Sequence, residues 1–150
     1  MSSSEFKQIV RLVGVDLPGD KAIVYSLRLI KGIGINMAYA ICRKIGINPH
    51  TKLGSLSEAQ LKELDAILRE PHKLGFPPWF LNRPKDPRTG KHLHLITSDL
   101  IFTVKGDIDF LKEIRCWRGI RHMFGLKVRG QRTRTTGRTG ITVGVKRRKK

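Results

Sequence analysis

Hydrophobic positions along the chain alternate briefly and then take up a helical rhythm, kept with one long interruption as far as Ile114. In "QIVRLVGVDLPGDK" (8–21), Ile9, Val10, Leu12 and Val13 predict a short edge strand or an ordered arm laid on a core, ending in a Pro-Gly turn. "DKAIVYSLRLIK" follows. Its Ile23, Leu27 and Ile30 recur at helical spacing, and Ala22, Val24 and Leu29 widen the stripe, so a well-buried helix is predicted. Gly32 and Gly34 flank Ile33 in a tight turn, and a second helix is expected over 37–45, N-capped by Asn36 and ended by Gly46. Met37, Ala38, Ile41 and Ile45 face inward on it, and Arg43 and Lys44 outward. A third helix within 52–71 carries Leu61, Leu64, Ile67 and Leu68 on one face. Ser57 with Gln60 fits a capping box, Leu56 with Leu61 fits the staple across it, and Pro71 stops it.

Residues 71–97 break this rhythm with five prolines and three aromatics. "WFLNR", a turn over "PKDPRTG" and then "KHLHLI" predict a β-hairpin inserted in a helical domain. A fourth helix, capped by Thr97 or Ser98, is expected through "DLIFTVKGDIDFLKEIRC", with Leu100, Val104, Ile108, Leu111 and Ile114 on its inner face. The fold class is therefore mainly α, with a small β-hairpin insertion at about 71–97 and an extended basic C-terminal tail. A helical domain is expected over 1–126 and the tail over 127–150.

Charge changes this picture. Of 150 residues 30 are Lys or Arg and 12 Asp or Glu, a net charge of +18, and a polyanion is the natural partner. The imbalance is local: residues 1–113 hold 17 basic and all 12 acidic residues, whereas 114–150 hold 13 basic residues and no acid. Such an end repels itself and stays extended until an anion neutralises it. Cys42 and Cys116 are read as idle thiols of a reducing compartment, with a disulfide as the alternative. With no signal-like segment and no apolar run of membrane-spanning length, the chain is expected to be soluble and intracellular, with no membrane partner.

Enzymatic chemistry finds little to build on. In "KGIGINMA" the third position of a dinucleotide fingerprint falls on Met37, and no strand precedes it. Gly32 and Gly34 are read first as a turn, and second as a place where exposed backbone N–H groups hold a phosphate. His50, His72, His92, His94 and His122 lack metal-ligand spacing, so no metal and no cofactor are expected. No Ser or Cys has a base partner. Two rivals of other classes remain: a base-flipping DNA glycosylase, for which Ser2 and a short chain are unpromising, and a chromatin-like DNA compactor, which shares the charge.

The cationic end reads differently. "RCWRGIRHMFGLKVRGQRTRTTGRTG" (115–140) interleaves arginine with aromatics, then with Gly and Thr. Guanidinium groups bind phosphate bidentately and stack on bases, Gly permits close approach to a sugar-phosphate, and Thr donates its hydroxyl. Candidate RNA-binding residues are Arg115, Arg118, Arg121, His122, Lys127, Arg129, Gln131, Arg132, Thr133, Arg134 and Arg138. Trp117 and Phe124 are expected to close the last turn of the helical core, with base stacking as the alternative.

Arg118-Gly119-Ile120-Arg121-His122, Gly125-Leu126 and Val128-Arg129-Gly130-Gln131-Arg132-Thr133 together resemble the signature of the universal small-subunit ribosomal protein S-thirteen family. "RLVGVDLPGDKAIVYSLRLIKGIG" is similar to that family's opening arm, first helix and glycine turn. The 71–97 segment and the ending "TTGRTGITVGVKRRKK" resemble its archaeal and eukaryotic form. The resemblance implies a helix-two-turn-helix type domain in the head of the small ribosomal subunit and binding to small-subunit rRNA. It also implies a neighbour in ribosomal protein S-nineteen, and bridges to large-subunit rRNA and protein L-five. A tail near peptidyl-site tRNA follows too, with Lys146, Arg147, Arg148, Lys149 and Lys150 at its end.

Overall fold

A computed structural model of the chain describes residues 6–136. Strands β1 (Ile9–Leu12) and β2 (Val15–Pro18) pair antiparallel with Val10 opposite Leu17. The alternation sends Val10 and Leu12 into the core and leaves Ile9 and Arg11 outside. The reversal falls at Val13-Gly14, both with positive φ (47° and 74°), rather than at the Pro-Gly pair expected to end the segment. Left-handed backbone costs a non-glycine residue roughly 1–2 kcal/mol. The Val13 N–H offsets this by donating to the Asp65 carboxylate at 2.8 Å, a partner far away in the chain. Pro18 and Gly19 instead end β2, where a side chain on Gly19 would collide with the Lys7 carbonyl oxygen, 1.9 Å from its Cβ position.

Helix α1 (Ile23–Leu27) is shorter than its apolar stripe suggests. After it, Leu29, Ile30 and Ile33 bond to carbonyls three residues back, and Leu29 is exposed, not part of the buried stripe. Helix α2 (Ile35–Ile45) begins two residues before its predicted start, with Gly34 as the extended N-cap, so Asn36 sits inside the first turn. It ends as expected, with Gly46 left-handed at φ 78°. Helix α3 (Glu58–Arg69) has the predicted capping box: the Gln60 N–H donates to Ser57 Oγ at 3.3 Å and the Ser57 N–H to Gln60 Oε1 at 3.1 Å. Pro71 forces Glu70 out of helical backbone and ends it. These elements close on a core of Leu17, Ile23, Leu27, Ile30, Ile41, Leu53, Leu64 and Leu68.

The molecule is mainly α with a two-stranded antiparallel hairpin, as expected in class, but the hairpin is β1–β2. Segment 71–97 does double back, through a single bridge pair, Arg83 with Leu93, and forms no strand. Prolines supply one reason: 3-10 turns occupy Pro71–Leu74 and Pro78–Phe80. Side chains supply another, since the N–H groups of Asn82, Lys85 and Leu95 donate to His94 Nδ1 (3.3 Å), His92 Nδ1 (3.1 Å) and Asn82 Oδ1 (2.9 Å). The Asp86 carboxylate shapes the turn, accepting from Thr89 N–H (2.9 Å), Thr89 Oγ1 (2.7 Å) and Arg83 Nε (2.6 Å). The Thr89 hydroxyl, then Arg83, hold the Asp86 carboxyl down at about 2.

The returning limb docks on the glycine turn. The Thr97 N–H donates to the Lys31 carbonyl at 2.8 Å, and Ile96 is buried. His94 is buried, accepting at Nδ1 from the Asn82 N–H (3.3 Å), with Nε2 3.0 Å from the Gly32 carbonyl oxygen. A neutral ring protonated on Nε2 satisfies both contacts, and burial lowers its pKa from the usual 6.5. Gly32 itself has φ 101°, and a Cβ there would lie 2.5 Å from the Leu95 carbonyl oxygen.

The described chain divides into two compact units, the first ending at Phe102 within helix α4 (Thr97–Glu113) and the second beginning at Thr103. No residue of α4 is buried: Leu100, Ile108 and Leu111 are half-buried, and Val104 and Ile114 are exposed, so its expected inner face is unpacked among the described residues. A further helix, α5 (Trp117–Met123), was not foreseen.

Candidate nucleic-acid interface

The second unit turns sharply between α4 and α5. Arg115 takes left-handed backbone at φ 55°, and Cys116 then caps α5: its Sγ accepts from the Gly119 N–H at 3.3 Å and lies 3.5 Å from the Leu111 carbonyl oxygen. Gly119 is indispensable to this corner, since a Cβ there would sit 1.9 Å from Leu111 O. Cys116 and Cys42 are both free thiols, and burial pushes the Cys42 thiol up to about 11.

Helix α5 spreads the predicted site residues over its surface. Arg118 is exposed, and His122 and Arg121 are half-buried. The Arg121 guanidinium lies 5.7 Å from the Trp117 ring centroid, and its Nε donates to the Lys127 carbonyl at 2.5 Å, tying the helix to the chain that leaves it. Lys127, Arg129, Gln131, Arg132, Thr133 and Arg134 follow in exposed, irregular backbone. Two local contacts shape this stretch: the Arg129 N–H donates to Gln131 Oε1 at 2.9 Å, and the Thr136 hydroxyl to the Arg132 carbonyl. Among the described residues, Arg115, Arg118, Arg121, Lys127, Arg129 and Arg132 form no ion pair. Arg138 and Lys146, Arg147, Arg148, Lys149 and Lys150 lie outside the described residues.

Trp117 and Phe124 correct the expectation of a closed core. They are 71% and 73% exposed, with Phe110, Ile114 and Met123 also outside. Helical spacing of apolar residues shows that a face exists, not that anything in the same chain covers it. Helix α5 was missed for a related reason: its cap is a cysteine, a residue outside the usual capping set.

The two glycines of the candidate phosphate turn part company. Gly32 is half-buried beneath Leu95 and Ile96, whereas Gly34 is exposed at the N-terminus of α2 with nothing within 4 Å of its Cβ position. Among the described residues there is no group of three or more His, Cys, Asp or Glu that could hold a metal, and no helix long and apolar enough to cross a membrane.

A mainly helical chain with an exposed, arginine-rich stretch free of acid after Glu113 belongs to the class of basic nucleic-acid-binding proteins. The sequence profile of the family described as ribosomal protein S13/S18 matches residues 11–139, and the chain belongs to that family, whose members are structural components rather than enzymes. Three archaeal relatives are named small ribosomal subunit protein uS13. That of Thermofilum pendens is 63% identical over 147 residues, covering 98% of this chain and 94% of the relative. That of Hyperthermus butylicus is 52% identical over 150 residues (100% and 99%), and that of Pyrobaculum islandicum 55% over 147 residues (98% and 95%).

Proposed function

We propose that this chain is a structural constituent of the small-subunit head, held on small-subunit rRNA by α5 and the segment beyond it. One observation carries the reading: Arg118, Lys127, Arg129 and Arg132 are exposed in a stretch without acid and form no ion pair among the described residues, ready to exchange counterions for phosphates. The family match and the names of the relatives support the same assembly. Arg118, Lys127, Arg129 and Arg132 meet phosphates. Gln131 and Thr133 add hydrogen bonds, and Gly34 offers the N-terminus of α2 to one more phosphate. Arg115, Arg121, His122 and Arg134 complete the surface, and Arg138 is a further candidate contact by its place in the sequence. Fixing the irregular backbone of residues 127–136 costs about 1–2 kcal/mol each in entropy, so that stretch takes its final form on RNA.

The exposed Phe110, Ile114, Trp117 and Phe124 suit a protein neighbour, and the family resemblance supplies S-nineteen. Bridges to large-subunit rRNA and protein L-five, and proximity of the terminal basic cluster to peptidyl-site tRNA, are carried over from the same resemblance. Sedimentation of lysate through a high-salt gradient tests the assembly. Co-migration with the small subunit is expected; migration with bulk DNA, or retention at the top of the gradient, would overturn it.

A further inference from the structure

The outer face of α2 and the turn at 76–80 enclose an open cleft of about 620 Å³, within the range of roughly 300–1,000 Å³ typical of small-molecule sites. It lies wholly within the first unit and shares no residue with the arginine-rich surface. Its walls are Tyr39 on α2 and the rings of Phe76 and Phe80, 5.4 Å apart and tilted at 49°. Both phenylalanines pack against the core with one side and are half-buried, so their orientation is held before anything binds. Trp79 stands edge-on to Phe80 at 5.7 Å and 84°, yet is 80% exposed. Asn36, Arg43 and Lys44 line the cleft from α2, and all three are exposed. No carboxylate lines it, and neither Arg43 nor Lys44 forms an ion pair among the described residues.

We propose that this cleft receives an unstacked base of a structured RNA, with Phe76 and Phe80 offering stacking faces in its wall, Trp79 offering another beside Phe80 just outside the lining, and Arg43 and Lys44 meeting the adjoining phosphates. The proposal rests on the RNA-binding reading above and adds a second, independent site to it. Charge selects the occupant: two uncompensated cations beside fixed rings suit a nucleotide, which carries a flat apolar face and an anion, better than an apolar peptide. Asn36, with an amide donor and an acceptor, is placed to meet a base edge. The aromatic residues come from segment 71–97, which the arginine-rich surface leaves without a role.

The test uses the full chain and two labelled strands of equal length, oligouridylate and its abasic counterpart, followed by fluorescence anisotropy at fixed salt. Alanine truncation of a ring that stacks on one base weakens binding by about tenfold or more. Trp79→Ala should therefore raise the Kd for oligouridylate about tenfold and leave the abasic strand unchanged. The exposure of Trp79 makes this change benign to the fold. Arg43→Ala with Lys44→Ala should weaken both strands alike, because phosphates are common to them. Equal binding of both strands to wild type and Trp79→Ala would overturn the cleft while leaving RNA binding in place, and would hand this face to a protein partner. A loss on both strands with Trp79→Ala would also overturn it, since the ring would then act through the fold. Failure of the wild type to bind either strand would refute the RNA reading itself.

Discussion

Removing Arg118, Arg129 and Arg132 together, by replacement with alanine, isolates the electrostatic part of RNA binding. All three are exposed and none forms an ion pair among the described residues, so their loss leaves no carboxylate stranded. Arg121 is left in place because it stacks on Trp117 and bonds to the Lys127 carbonyl. Each phosphate contact to a single-stranded segment contributes about 0.7 to the slope of log Kobs against log salt, so three lost contacts should flatten that slope by about 2. Between about 50 and 200 mM salt, the variant should then lose roughly 20-fold less affinity than wild type. Filter binding to small-subunit rRNA across that range measures both slopes, and Lys62→Ala on the exposed face of α3, compared per charge removed, controls for net charge. Circular dichroism checks that the helices persist. An unchanged slope would mean these arginines do not meet phosphate, and an equal effect per charge from Lys62→Ala would mean the attraction is diffuse.

Three further outcomes concern stability. Ser57→Ala removes the capping box of α3 and should cost about 1 kcal/mol, read as a lower urea midpoint with unchanged m-value. Gly119→Ala forces apart backbone that approaches to 1.9 Å of the new Cβ, and should cost roughly 1–3 kcal/mol, read as faster amide exchange in α5. Burial lowers the pKa of His94, so its stabilising effect is complete above the unfolded value of 6.5 and declines as pH falls through that value toward the folded one. Urea midpoints should fall over that window in the wild type and fall less in His94→Gln; identical profiles would show that the ring does not titrate on unfolding.

Local signals were legible wherever the cause was local. Ser57 and Gln60 cap each other across one turn, and Gly46 ends α2 because left-handed backbone is cheap for glycine, so both ends could be read without tertiary information. The β1–β2 pairing is not legible as a hairpin because its turn needs positive φ at Val13, which local preference rejects and the Asp65 carboxylate makes tolerable. The 71–97 segment reads as strand–turn–strand and begins a ladder between Arg83 and Leu93, yet the N–H groups of Asn82, Lys85 and Leu95 bond to the side chains of His94, His92 and Asn82 and carry it no further. In the candidate interface the cations were legible as a run, whereas the cleft was not. Its two sides are Tyr39 with Arg43, and Phe76 with Phe80, remote in the chain and adjacent only after folding.

By itself, then, the sequence determined the helical class, the position of the acid-free end and the family signature within it, because composition and short spacings survive in any conformation. The tertiary structure alone decided which apolar residues are core. Trp117, Phe124 and Trp79 have the chemistry of buried residues and stand exposed, because burial depends on whether another surface reaches them. It also decided which glycine of the turn is free: Gly32 is covered by the limb that carries His94 and Ile96, and Gly34 is open.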